Sequence, residues 1–107
     1  MIIKVTQDDI YNGKRGCGRK CAVALAVRRE LIEQKKDLHP YIESDGSIVL
    51  YYNWRDAMPS TRPYDYKLEI QDEGELADVE NFIYRFDEAS IVNPIEFNAK
   101  LIESYYK

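Results

Sequence analysis

The chain has 107 residues, 45% of them hydrophobic, and a net charge of −4 from 15 Lys and Arg against 19 Asp and Glu. That length fits one domain with a core of its own, and the apolar share argues against a disordered chain. The longest apolar run, from Cys21 to Val27, is far shorter than the roughly 20 residues a membrane helix needs, and an acidic balance disfavours generic nucleic-acid binding.

Ile2 to Val5 reads as a short first strand, and it starts so close to Met1 that no signal peptide is expected. Thr6 is placed to cap a brief helix, with Asp9 three residues on as the partner of a capping box and Gly13 as its stop. A glycine-rich basic loop follows, from Asn12 to Lys20. The main helix is expected from Cys17 or Arg19 to Lys36. Ala24, Val27 and Leu31 form its inner face, Cys21, Leu25 and Ile32 lie beside them, and His39-Pro40 ends it. Its first half is apolar nearly all round, whereas Arg28 to Asp37 is charged and is expected to face water.

Tyr41–Glu43 and Ser47–Tyr52 read as a hairpin turned by Ser44-Asp45-Gly46. Asn53 to Pro63 is a loop, and the alternation of Tyr64, Tyr66, Leu68 and Ile70 with charged residues predicts a half-buried strand. Asp72 is the N-cap of a second helix, whose narrow apolar face is Leu76, Val79, Phe82, Ile83 and Phe86. Pro94 opens a last strand in which Ile95, Phe97, Ala99 and Leu101 alternate with polar residues. The fold class expected is α+β: a four- or five-stranded, mainly antiparallel sheet packed on one face by two helices, in one domain over residues 1–107.

The charge is unevenly placed. Residues 1–37 carry nine Lys and Arg against five Asp and Glu, and residues 38–107 carry six against fourteen. The basic excess gathers in the loop, where Lys14, Arg15, Gly16, Gly18, Arg19 and Lys20 form a candidate anion site with no acid among them. Glycines permit the positive φ that turns successive N–H groups toward one point, and the following helix start adds partial positive charge. The spacing is not that of a Walker motif. The plainer alternative is a solvated turn whose charges serve solubility.

Aromatic residues mark a second candidate surface: Tyr52, Trp54, Arg55 and Arg62, in or beside the long loop, suit contact with a partner protein or stacking on a base. The acidic series Asp72, Glu73, Glu75, Asp78, Glu80, Asp87 and Glu88 offers a third, able to imitate phosphates toward a basic partner, although acids in a helix's first turn are also ordinary complements of its dipole. Cys17 and Cys21 are four residues apart and are read as free thiols. With His39 the sole histidine, neither a four-ligand metal site nor a nucleophile–histidine pair is supported. No cofactor, metal or catalytic residue is expected, so the chain reads as a binding protein and not an enzyme.

The segments Val5–Ile10, the Gly/Lys/Arg loop and Cys21–Ala26 at one end, and Phe82–Asp87 and Asn93–Phe97 at the other, resemble a family of small phage- and prophage-encoded proteins. The resemblance does not extend to the middle, from about Asp37 to Asp72, and its motifs are those of packing and turns. It implies a phage accessory role in the host cell cytoplasm, set against a host defence system, and it assigns no functional residue. The leading expectation is an anionic small molecule or nucleotide bound at the basic loop. The alternative is inhibition of a host protein, whether a defence or a nucleic-acid-binding protein, through the Trp54 loop or the acidic helix. A sheet edge or the aromatic loop also offers a contact for a homodimer.

Overall fold

The computed structural model describes residues 1–53, 55 and 64–103. In chain order these form β1 (Ile2–Val5), α1 (Gln7–Asn12), α2 (Ala22–Glu33), β2 (His39–Ile42), β3 (Ile48–Tyr51), β4 (Tyr66–Glu69), α3 (Glu73–Asp87), β5 (Ile95–Asn98) and β6 (Lys100–Glu103). The fold is α+β, as the sequence predicts, and every strand pairing is antiparallel. The strands divide into a four-stranded sheet of order β2-β3-β4-β6 and a two-stranded sheet of β1 and β5.

That division comes from one residue. The alternating segment predicted as a single last strand is broken at buried Ala99. Before it, Ile95 and Phe97 lie opposite Val5 and Ile3; after it, Leu101 lies opposite Leu68. Ala99 closes the smaller sheet, donating its N–H to the Met1 carbonyl (2.9 Å) and accepting from the Met1 ammonium (2.6 Å). The chain then crosses to β4, so one alternating pattern serves both sheets.

The helix boundaries also follow local chemistry. Thr6 and Asp9 make the reciprocal bonds of a capping box at α1. The main helix is shorter than predicted. Residues 17–21 form a turn in which the Lys20 and Cys21 N–H groups donate to the Cys17 carbonyl (3.2 and 2.9 Å), and α2 begins only at Ala22. At its other end Lys35 takes a positive φ of 59°, with Lys35 N–H bonded to the Ile32 carbonyl and Lys36 N–H to Leu31. This is a Schellman closure with lysine where glycine is usual. Asp72 caps α3 by accepting from the Glu75 N–H, and Ala89, at φ 61°, ends it in the same way as Lys35 ends α2.

One core joins both sheets and the two longer helices: Ala22, Val23, Ala24, Ala26, Val27 and Leu31 of α2 meet Val79, Phe82, Ile83 and Phe86 of α3 and the inward residues of the strands. Inner strand β3 is buried on both faces. Ile48 and Leu50 belong to this core, whereas Val49 and Tyr51 form a second cluster with Tyr41 and Tyr64. Pro40 is tolerated because β2 is an edge: Ile42, two residues on, turns its N–H outward to the Gly18 carbonyl (2.8 Å), so the nitrogen Pro40 lacks a proton on faces away from β3. Arg29 is exposed, as predicted, yet it also anchors the first elements of the chain. It holds buried Asp9 with two bonds of 2.7 Å and the Lys4 carbonyl with a third, tying β1 and α1 to α2. Among the described residues no helix is long and apolar enough to cross a membrane.

Candidate functional site

The glycines of the basic loop do different work from one another. Gly16 has a positive φ of 67° with open space around its Cα, the conformation anticipated for an anion-cradling turn. Gly18 is a close-packing glycine: a Cβ there would lie 2.7 Å from the Ile42 carbonyl oxygen and 2.8 Å from the Tyr41 ring. Several of the loop's N–H groups are committed within the chain. Lys14 N–H donates to the Lys20 carbonyl (2.8 Å), and Gly16 N–H donates to the Asp87 carboxylate (2.9 Å) at the end of α3. The anion that this turn holds is therefore the protein's own.

Two clefts lie on either side of the loop. The first, of about 360 Å³, is walled by Gly16 and Gly18, floored by Val23, Phe82 and Phe86, and edged by Glu43 and Asp87. Cys17 and Cys21 also line it, and both are free thiols. Cys21 makes no side-chain cap to α2. Burial pushes its thiol up to about 11, an effect that the neighbouring amides of Ala24 and Val23 only partly offset and to which the Asp87 charge adds. A thiol so protonated is no nucleophile at neutral pH. The two carboxylates in its lining, Glu43 and Asp87, make it a poor electrostatic match for phosphate.

The second cleft, of about 400 Å³, is lined by Arg19, Lys20, Ala24, Leu25, Arg28, His39 and Pro40. Among the described residues no carboxylate lines it. Arg19 and Lys20 come from the loop, Ala24, Leu25 and Arg28 from successive turns of α2, and His39 and Pro40 from the start of β2. Arg28 is fixed by bonds from its two terminal nitrogens to the Leu38 carbonyl (2.7 Å) and the Asp37 carboxylate (3.0 Å). Burial lowers the His39 pKa below its ordinary 6.5, and the Arg28 charge lowers it further against the pull of Asp37. At neutral pH it enters the groove as an uncharged ring.

The six predicted anion-site residues are thus not brought to one point. Gly16 and Gly18 face the acidic cleft and Arg19 and Lys20 the basic groove. Lys14 and Arg15 are exposed, and like Lys20 they form no ion pair among the described residues. Sequence reasoning missed Arg28, His39 and Pro40. The sequence carries part of their signal, since Arg28 falls one helical turn after Ala24, but His39-Pro40 is expected there to end the helix and His39 is weighed only as a metal ligand or catalytic partner.

Of the aromatic surface, Tyr52 is exposed. Its ring meets Tyr66 edge-on at 5.7 Å, its hydroxyl bonds that of Tyr66 (2.9 Å), and its N–H donates to Asp65. Arg55 is exposed, with its N–H on Asn53 Oδ1. Trp54 and Arg62 lie outside the described residues. In the acidic series Asp72 and Asp87 are engaged as above and Glu75 accepts from the Asn98 N–H, while Glu73, Asp78, Glu80 and Glu88 are exposed. Among the described residues no group of three or more His, Cys, Asp or Glu is arranged to hold a metal ion. Comparison with protein-family models, curated proteins and solved structures finds no match to this chain.

Proposed function

We propose that this protein is a non-enzymatic binding protein whose ligand is an anion held in the groove between the basic loop, α2 and β2. The observation that carries the reading is the meeting of Arg19, Lys20 and Arg28 over one apolar floor, with no carboxylate among the described residues that line the groove. Charge-assisted hydrogen bonds to phosphate or carboxylate are what arginine and lysine at such a rim provide. The site moves from the glycine turn to the groove because Asp87 already occupies the turn. The resemblance of both chain ends to phage-encoded proteins supports an accessory role in a host cell, countering a defence system.

Calorimetric titration at low salt with inorganic phosphate, pyrophosphate and nucleotides tests this. Binding that weakens with salt and is lost in the Arg19→Ala, Lys20→Ala double variant, which far-UV circular dichroism shows to be folded, is expected. No heat from any of these anions overturns it.

A second reading, inhibition of a basic host protein by α3, draws on a different observation. Glu73, Asp78 and Glu80 are exposed along that helix, with Tyr84 exposed beyond them, so charge and an aromatic contact share one element. Asp78→Lys with Glu80→Lys should then abolish capture of a host protein that the Arg19, Lys20 double variant still captures.

A further inference from the structure

We infer that the anion taken by the basic groove is a phosphomonoester carried on a planar, largely apolar ring system of about nucleoside size; this rests on the anion-binding reading above and names its ligand class. The rim and the floor of the groove make different demands. Arg28 has one in-plane donor of each terminal nitrogen committed, to Leu38 and Asp37, and Asp37 balances much of its charge. What it still offers a ligand is chiefly the flat face of a guanidinium held in place, a surface that stacks on rings. The half-buried, uncharged His39 ring and half-buried Leu25 stand in the same groove, whose lining also includes buried Ala24 and Pro40.

Charge on the loop side of the groove therefore rests on Lys20, with Arg19 beside it, while the α2 and β2 side presents flat and aliphatic surface. An inorganic ion satisfies only the first half. A ligand with a charged head and a flat body satisfies both, and about 400 Å³ lies at the small end of ligand pockets. Covering about 60 Å² of ring surface corresponds to about tenfold in affinity.

The test compares adenosine 5′-monophosphate, inorganic phosphate and adenosine on the wild type and on Lys20→Ala and Leu25→Asn. The expected result is binding of the monophosphate about tenfold or more tighter than of phosphate or adenosine. Lys20→Ala should weaken the monophosphate and phosphate alike, and Leu25→Asn the monophosphate only. Phosphate binding as tightly as the monophosphate overturns this inference and leaves anion binding intact. Adenosine binding as tightly as the monophosphate overturns both, as does silence from all three. Amide chemical shifts, recorded on each variant, confirm that it is folded and report whether Leu25 and Arg28 or the first cleft respond; a response confined to the first cleft also overturns the inference.

Discussion

Two side chains show how neighbours change what a residue does. Cys17 and Cys21 share a turn, yet Cys21 is buried with its thiol pushed up to about 11 while Cys17 is half-exposed. Native alkylation at pH 8 should therefore label Cys17 quickly and Cys21 only after denaturation, read by intact mass; equal labelling of the two in the folded protein would contradict this. Asp9 carries a heavier load. Burial alone would raise its pKa, but the bonds from Arg29 and from Thr6 outweigh that and hold it below its ordinary 3.8. Because the folded value is the lower one, the unfolded chain binds its proton first as pH falls. Its stabilisation is present above 3.8 and lost as pH drops through the folded value. Asp9→Ala should cost about 1–3 kcal/mol at pH 7, from the lost box and the lost charged hydrogen bonds. It should also flatten the acid limb of a plot of urea midpoint against pH.

At the scale of elements, the joints between them carry the constraint. The loop meets β2 at Gly18 so closely that Gly18→Ala must displace the Ile42 carbonyl or the Tyr41 ring, a strain of about 1–3 kcal/mol in denaturant titration. Were the loop only a solvated turn, this substitution would be neutral. The helix ends carry the opposite opportunity. Ala89 closes α3 at a positive φ of 61°, a conformation that penalises any Cβ. Ala89→Gly should raise stability by about 0.5–1 kcal/mol, the relief of left-handed strain less glycine's greater unfolded entropy. A fall in the thermal midpoint would mean that the Schellman closure is not what ends the helix.

Across the whole molecule, one core links the two sheets through α2, α3 and the crossing at Ala99, so the β1–β5 sheet has no core of its own to fall back on. Far-UV circular dichroism and tyrosine near-UV signals should report a single coincident unfolding transition; two separated transitions would show that the β1–β5 sheet comes away independently. The charge division along the chain is carried into space only in part. The basic loop touches the acidic end of α3 through Gly16 and Asp87, and its cations divide between open solvent and the groove beside α2.

Much was legible from sequence because it depends on neighbours within one turn or strand. The Thr6–Asp9 box, the Asp72 cap, the hairpin at Asp45, whose carboxylate accepts from the Ser47 N–H, and the inner faces of α2 and α3 all follow from spacing alone. Tertiary structure alone decided what joins residues far apart in the chain. The crossing at Ala99 needs two sheets competing for one strand pattern. Arg29 reaches Asp9 only because α1 packs on α2. The anion turn is filled by a carboxylate 71 positions away, and the groove forms where three separate segments meet. Local periodicity fixes which way a side chain faces; which other segment lies opposite is set by how the shared core closes, and no spacing in the sequence encodes that.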